Sequence, residues 1–210
     1  MSMKDIINKA IVFIIKNNKS NNLPYHGIDH LFEVYNDCKT LIDFSQMDQF
    51  SLNEDSEEVN YETELLIAAL FHDYNHSGGK LKDSENIEIA IKGCKEFLDT
   101  IDYDLNFDVI ESVIKATEYP SPLKGDLTIE QKIIQDADMC YLLNDIAIVK
   151  LYYGLREEFG VELDKFLENQ LAFFETVKFN SRLYSDIWDN TYKNIRIEEV
   201  KELMKANDQI

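Results

Sequence analysis

The sequence predicts an all-α protein that folds as one helical domain. Only 7 glycines and 3 prolines occur in 210 residues, so turns are few and helices should be long. Apolar residues recur at spacings of three and four along most of the chain, which is the period of a helix. No segment shows the alternating pattern that is typical of a strand. We expect a bundle of roughly seven to nine helices.

The first helix is predicted from a stripe of six apolar residues between Ile6 and Ile15. This run is too short to span a bilayer and lacks a small-residue cleavage site, so neither a membrane anchor nor a signal peptide is predicted. A second stripe runs from His30 to Leu41. Residues 45–60 are polar and acidic, which predicts a surface loop.

Later segments continue the helical pattern. The stretch YETELLIAALFHDYN predicts a helix that is buried nearly all round, and Ser84 is the expected N-cap of the next one. A further helix should stop before Pro120. Residues 128–160 predict one long helix or two, and residues 162–204 predict two more. One domain is expected over residues 1–210, with a core of about 20–160 on which C-terminal helices from 161–210 pack.

The charge of the chain limits its partners. Forty acidic residues against 21 basic ones give a net charge of −19. Such acidity disfavours binding to a nucleic-acid duplex or to an anionic membrane. The three cysteines are scattered and no CxxC occurs, so we expect neither disulfides nor a cysteine zinc site, and a cytoplasmic location. An anionic substrate would need a local positive field, which a bound divalent metal supplies. The oligomeric state is left open.

All four histidines fall into two pairs, His26 with His30 and His72 with His76. Residues four apart lie on one face of a helix, so each pair can converge on a metal, or on a metal and its substrate. Asp73 directly follows His72 in an apolar run. A buried carboxylate needs a partner, and a cation is the natural one.

A second pair of acids interrupts the apolar segment IIQDADMCYLL at Asp136 and Asp138. Mixed imidazole and carboxylate ligands suit Zn, Mn or Fe, with Mg at a second, carboxylate-rich position. For Asp136, the residues alone leave open a surface acid, a hydrogen-bond acceptor or a direct ligand.

This arrangement resembles the HD-domain metal-dependent phosphohydrolases, in which a first His, a His-Asp pair and a later Asp lie on an all-α core. The resemblance covers about residues 20–160 and implies one or two divalent ions (Zn, Mn, Mg or Fe). The implied metal ligands are His30, His72, Asp73 and Asp138. Asp138 is preferred to Asp136 because the last Asp of the family usually follows an Ala and precedes an apolar stretch.

Two segments, YHGIDHLFEV and ALFHDYNHSGG, also resemble the class I cyclic-nucleotide phosphodiesterases. This implies that a hydroxide shared by two metals attacks phosphorus, with Asp73 bridging the metals. His26 would protonate the leaving oxygen as general acid, and His76 would orient a water or the substrate phosphate. The chain departs from the pattern at Gly27, which replaces an Asn, and in its shorter length.

The expected substrate is a small phosphate ester or nucleotide, and the expected activity is that of a nucleotide phosphodiesterase. A phosphomonoesterase or triphosphohydrolase of the same superfamily would use identical ligands, and a non-catalytic metal-binding module is a further alternative. An HD oxygenase is disfavoured because no histidine follows His76. The segment KLKDSENIEIA resembles one that precedes a helix in a small group of HD proteins, but it leaves the role of Glu85 open.

Overall fold

The computed structural model describes residues 1–45, 59–123 and 125–207, and all regular structure in these ranges is helical. The helices are α1 (Met3–Asn17), α2 (Ile28–Ser45), α3 (Glu62–Phe71), α4 (Asp83–Leu98), α5 (Phe107–Lys115), α6 (Ile129–Met139), α7 (Ala147–Lys150), α8 (Arg156–Phe159), α9 (Leu163–Thr176), α10 (Arg182–Ile187) and α11 (Lys193–Asn207). A 3₁₀ turn (Cys140–Leu143) follows α6. The predicted loop over 45–60 lies almost wholly outside the described residues.

Two π-helical turns join neighbouring helices without a break. Leu151–Leu155 connects α7 to α8, and Trp188–Tyr192 connects α10 to α11. The described ranges therefore hold nine continuous helices, which confirms the predicted all-α bundle of seven to nine. The segment 128–160 forms two helices, and the segment 162–204 also forms two, as expected.

Helix starts follow local capping rules, with one correction. Ser2 and Asp5 exchange hydrogen bonds of 3.2 and 3.1 Å in a capping box at the start of α1. Ser84 is not the N-cap of α4, because that helix already begins at Asp83. The carboxylate of Glu85 accepts the backbone N–H of Lys82 at 3.0 Å, which satisfies a free amide at the helix start.

The first core is organised around α3. Every residue from Leu65 to Phe71 is buried, because α1, α2, α4, α5 and α6 all pack against this helix. The prediction of a helix buried all round is confirmed. A helix enclosed in this way holds its C-terminal end firmly, and that end carries His72 and Asp73.

A second apolar cluster lies in the C-terminal part of the chain. It contains Tyr25, Leu142, Leu151, Phe166, Leu167, Phe174, Val177, Phe179, Trp188 and Val200. Within it α9 packs against α11. Tyr25 is the one buried member that precedes α2, so this cluster reaches back to the segment carrying His26 and His30.

Arg196 connects α11 to the turn after α6 through hydrogen bonds. Its side chain is 1% exposed, and it donates to the carbonyls of Leu142 (3.1 Å) and Asn144 (2.8 Å). We expect Arg196→Leu to lower the free energy of unfolding by about 3 kcal/mol, since the buried carbonyl of Leu142 and the partly buried carbonyl of Asn144 lose their donor.

Chemical denaturation of the purified variant measures this loss. Arg182→Leu is the control, because Arg182 is 72% exposed and its ion pair with Asp186 is long, at 4.0 Å. That change should stay within about 0.5 kcal/mol. Equal losses in the two variants would contradict a structural role for Arg196.

Among the described helices, none combines the length and apolar character that crossing a membrane requires.

Candidate metal centre

Three helix ends meet at one point of the first core. His30 lies in the first turn of α2, His72 and Asp73 directly follow α3, and Asp138 lies one residue before the end of α6. α2 packs against both α3 and α6, which brings these ends together. The C-terminal ends of α3 and α6 carry partial negative charge, so both favour a cation between them.

The two histidine pairs do not lie on helix faces as expected. His26 precedes α2, which begins at Ile28, and His76 follows the end of α3 at Phe71. The turn before α2 is tight: a Cβ at Gly27 would lie 2.3 Å from the carbonyl oxygen of Leu23. This close approach requires glycine.

Four donor atoms converge at the meeting point. The Nε2 atom of His30 lies 3.4 Å from Asp73 Oδ2 and 3.0 Å from Asp138 Oδ1. The Nε2 atom of His72 lies 3.2 and 3.7 Å from the same two oxygens, and 3.4 Å from His30 Nε2. Ligands bonded at about 2.1 Å to one ion are about 3.0 to 3.4 Å apart in octahedral and tetrahedral geometry. The spacing therefore fits a shared metal.

The hydrogen bonding of His72 also fits a metal. The Nδ1–H of His72 donates to the carbonyl of Ala69 at 2.8 Å, which leaves the lone pair of Nε2 for the centre. The Nδ1 atom of His30 is buried and has no hydrogen-bond partner among the described residues. The imidazoles are 2% and 1% exposed, and the carboxylates of Asp73 and Asp138 are 14% and 26% exposed. The centre is thus reached from its carboxylate side.

Electrostatic interactions among these groups favour charged imidazoles and ionised carboxylates. Burial opposes a charge on His72, but Asp73 and Asp138 outweigh it and hold the His72 pKa well above its usual range. Burial likewise disfavours the ionised carboxylates, yet the neighbouring histidines hold the pKa values of Asp73 and Asp138 well below the ordinary range. The imidazoles and carboxylates therefore stabilise each other's charged forms, and a divalent cation could replace the imidazole protons between the same atoms.

A second cluster contains His26, His76 and Glu158. His26 Nδ1 lies 2.7 Å from Glu158 Oε2, and the other carboxylate oxygen accepts the backbone N–H groups of Tyr25 (2.5 Å) and His26 (2.8 Å). The Glu158 side chain is fully enclosed. Although burial raises its pKa, the contacts with His26 lower it below the ordinary range. Glu158 therefore fixes the orientation of the His26 ring through its Nδ1 atom.

His76 stacks on this oriented ring, with centroids 3.7 Å apart. The amide of Asn86 donates to His76 Nε2 at 2.9 Å, and the N–H of Gly78 approaches Nδ1 at 3.2 Å. Burial and the charge of His26 lower the His76 pKa to about 4, so its ring is neutral at pH 7. Because an N–H donor faces each ring nitrogen and the neutral ring can accept at one of them, we interpret the second cluster as a hydrogen-bonded support rather than as a metal site. The predicted role of His76 in orienting water or phosphate stays a prediction.

Two acids whose roles the sequence left open lie outside the centre. The carboxylate of Asp136 accepts the backbone N–H groups of Asn180 and Ser181, each at 2.7 Å, and so anchors the segment before α10. Glu85 caps the start of α4. Neither side chain belongs to the group of four donors.

Glu158 was missed by reasoning from the sequence. It lies in LREEFG beside Glu157, and no local pattern distinguishes the two acids. A general-acid histidine commonly needs an acceptor on its second nitrogen, so a partner for His26 could have been anticipated. Its position could not, because 132 residues separate Glu158 from His26.

A cavity of about 670 Å³ opens from His30 and Asp138. Asp37, one of its lining residues, is partly buried. Burial, together with the charge of Glu33, raises the Asp37 pKa to about 6. Since this carboxyl ionises less readily in the folded chain than in the unfolded one, its ionisation costs stability as the pH rises from about 4 to 6 and above.

We expect Asp37→Asn to raise the free energy of unfolding at pH 8 by about 1–2 kcal/mol, after allowance for partial exposure, and to change it little at pH 4. Denaturation of metal-free protein at both pH values measures the difference. Asp43→Asn, an exposed site on the same helix, is the control. A gain for Asp37→Asn that is equal at both pH values would show that its ionisation is not responsible.

A comparison of the chain with models of known protein families and with curated proteins finds no match.

Proposed function

We propose that this chain is a metal-dependent phosphohydrolase of the HD type. Within that class, we propose that it is a nucleotide phosphodiesterase. The observation that carries the proposal is the convergence of His30, His72, Asp73 and Asp138: each imidazole Nε2 lies 3.0–3.7 Å from both carboxylates and 3.4 Å from the other imidazole. One or two divalent ions held there would neutralise phosphoryl oxygens and acidify a water molecule near neutral pH. His30, His72, Asp73 and Asp138 are the residues that would hold the first ion.

The proton for the leaving group is assigned to His26. Its ring centroid lies 6.1 Å from that of His30, so a phosphate ester at the metal centre would lie beside it. Glu158 holds Nδ1, and an ionised partner stabilises the imidazolium that a general acid requires. This pairing favours a catalyst over a module that only binds metal, because binding alone does not need an oriented acid.

The experiment combines metal analysis with a substrate panel. Purified protein should contain a divalent metal and hydrolyse bis(p-nitrophenyl) phosphate together with a cyclic or linear nucleotide. Treatment with a chelator should abolish turnover, and Mn²⁺ or Mg²⁺ should restore it. The same titration should raise the melting temperature, since a ligand present at 100 times its Kd stabilises by about 2.7 kcal/mol.

The outcomes separate the alternatives. Hydrolysis of monoesters or triphosphates instead of diesters would identify another reaction of the same centre. Metal binding without turnover on any ester would indicate a binding module. Turnover that persists after complete metal removal would overturn the proposal.

A further inference from the structure

The cavity that opens from the candidate metal centre has the size of a small-molecule site. Its volume of about 670 Å³ lies within the range of ~300–1,000 Å³ that is usual for ligand pockets. One wall is a face of α2, and the opposite wall is formed by the turn after α6, by α7 and by the C-terminal helices. A phosphate at His30 and Asp138 would leave the organic part of its ester facing this space.

The charge of the lining is unusual for a site that receives an anion. Besides Asp138, the described residues that line it include the three acids Glu33, Asp37 and Asp145, and the single ammonium group of Lys150. Lys150 is already engaged: its Nζ pairs with Glu33 and lies 5.5 and 5.7 Å from the ring centroids of Tyr25 and Tyr141. The remaining charge of the lining is negative.

The rest of the lining suits neutral polar groups. Tyr141, Tyr184 and Tyr192 contribute ring faces and hydroxyls, and Asn36 and Asn144 contribute amides. Ring faces accept a flat base or a cation, and hydroxyls and amides hydrogen-bond to a sugar. Outside the metal centre, Lys150 is the single cationic side chain in the described lining that could bind a second phosphate. It is already paired with Glu33.

We propose that this cavity selects phosphate esters with a single phosphate and no further negative charge, and that Asp37 is a residue that determines this specificity. The inference rests on the proposed function, because the metal centre must hold the one phosphate. A second phosphate or a carboxylate in the cavity would lie near Asp37 and Asp145. Like charges about 6 Å apart at the dielectric constant of a protein surface disfavour binding by about tenfold or more.

The experiment compares AMP, ADP and ATP as ligands of Mn²⁺-loaded protein by titration calorimetry at pH 8 and constant free Mn²⁺. Glycerol 3-phosphate and 3-phosphoglycerate form a second pair of similar size that differs by one carboxylate. We expect the Kd to rise from AMP to ATP, and to be about tenfold higher for 3-phosphoglycerate than for glycerol 3-phosphate. A metal centre without charge selection would favour ATP, which has more phosphate oxygens.

Asp37→Asn should reduce the preference for AMP over ATP about tenfold, and Asp145→Asn tests the second acid at the cavity mouth. Asp43→Asn makes the same change on an exposed position of α2 and should leave the preference unaltered. Equal or tighter binding of ATP by the wild type, or an unchanged preference in both cavity variants, would overturn the inference while the proposed function stands. Failure of Mn²⁺ or of every phosphate ester to bind would overturn both.

Discussion

Asp138→Asn should remove the metal and the activity together. The Asp138 oxygen lies 3.0 and 3.7 Å from the two histidine Nε2 atoms, so the change takes one negative ligand from the centre. Loss of a residue that only supports a ligand costs 10–100-fold in affinity, and loss of a direct ligand should exceed about 100-fold. Metal analysis of the purified variant, and its melting temperature with and without Mn²⁺, measure the effect independently of turnover.

Asp136→Asn is a matched control, because it makes the same change two residues away on the same helix. Asp136 instead accepts the N–H groups of Asn180 and Ser181, and an amide cannot accept both equally well. We expect a loss of about 1.5–3 kcal/mol in the free energy of unfolding with metal binding retained. If Asp136→Asn lost the metal and Asp138→Asn kept it, the ligand assignment would be wrong.

His26→Ala should retain the metal and lose rate in a way that depends on the leaving group. Nucleotide esters release a poor alkoxide, which needs a proton, and general acid catalysis contributes about 10²–10⁴ in rate. p-Nitrophenolate leaves without one. We therefore expect kcat to fall by about 10²–10⁴ on a nucleotide diester and far less on bis(p-nitrophenyl) phosphate.

Comparing two leaving groups on one variant provides an internal control, since damage to the metal centre would slow both equally. Glu158→Gln should show the same dependence on the leaving group to a smaller degree, because the ring keeps a hydrogen-bond partner but loses an ionised one. Full activity of His26→Ala on a nucleotide diester would contradict the general-acid role.

Local sequence patterns predicted most helices because helix formation depends on interactions between residues that are close in the chain. The apolar periodicity around α1 and α5 reports which face is buried, and that information lies within one or two turns. Ser84 illustrates the limit of such reasoning. The Glu85 carboxylate accepts a hydrogen bond from the backbone N–H of Lys82, and α4 begins at Asp83, one residue before Ser84. Several residues in that region could have served as the cap.

The sequence by itself determined the chemical types at the candidate centre. Two imidazoles and two carboxylates in apolar surroundings need charged or hydrogen-bonding partners, and a shared cation is one way to supply them. The choice of Asp138 over Asp136 rested on a family resemblance. Their side chains point about 160° apart on a helix, so only one can face the centre, and the packing of α6 on α2 decided which.

Only the tertiary structure decided which groups surround those ligands. Glu158 meets His26 across 132 residues, and the acids and tyrosines of the cavity come from distant segments of the chain. Long-range packing also decided the orientation of His26, the positions of His26 and His76 beyond helix ends, and the negative charge of the cavity. Helical periodicity reports a buried face but not the element that covers it, so no local pattern could have specified these contacts.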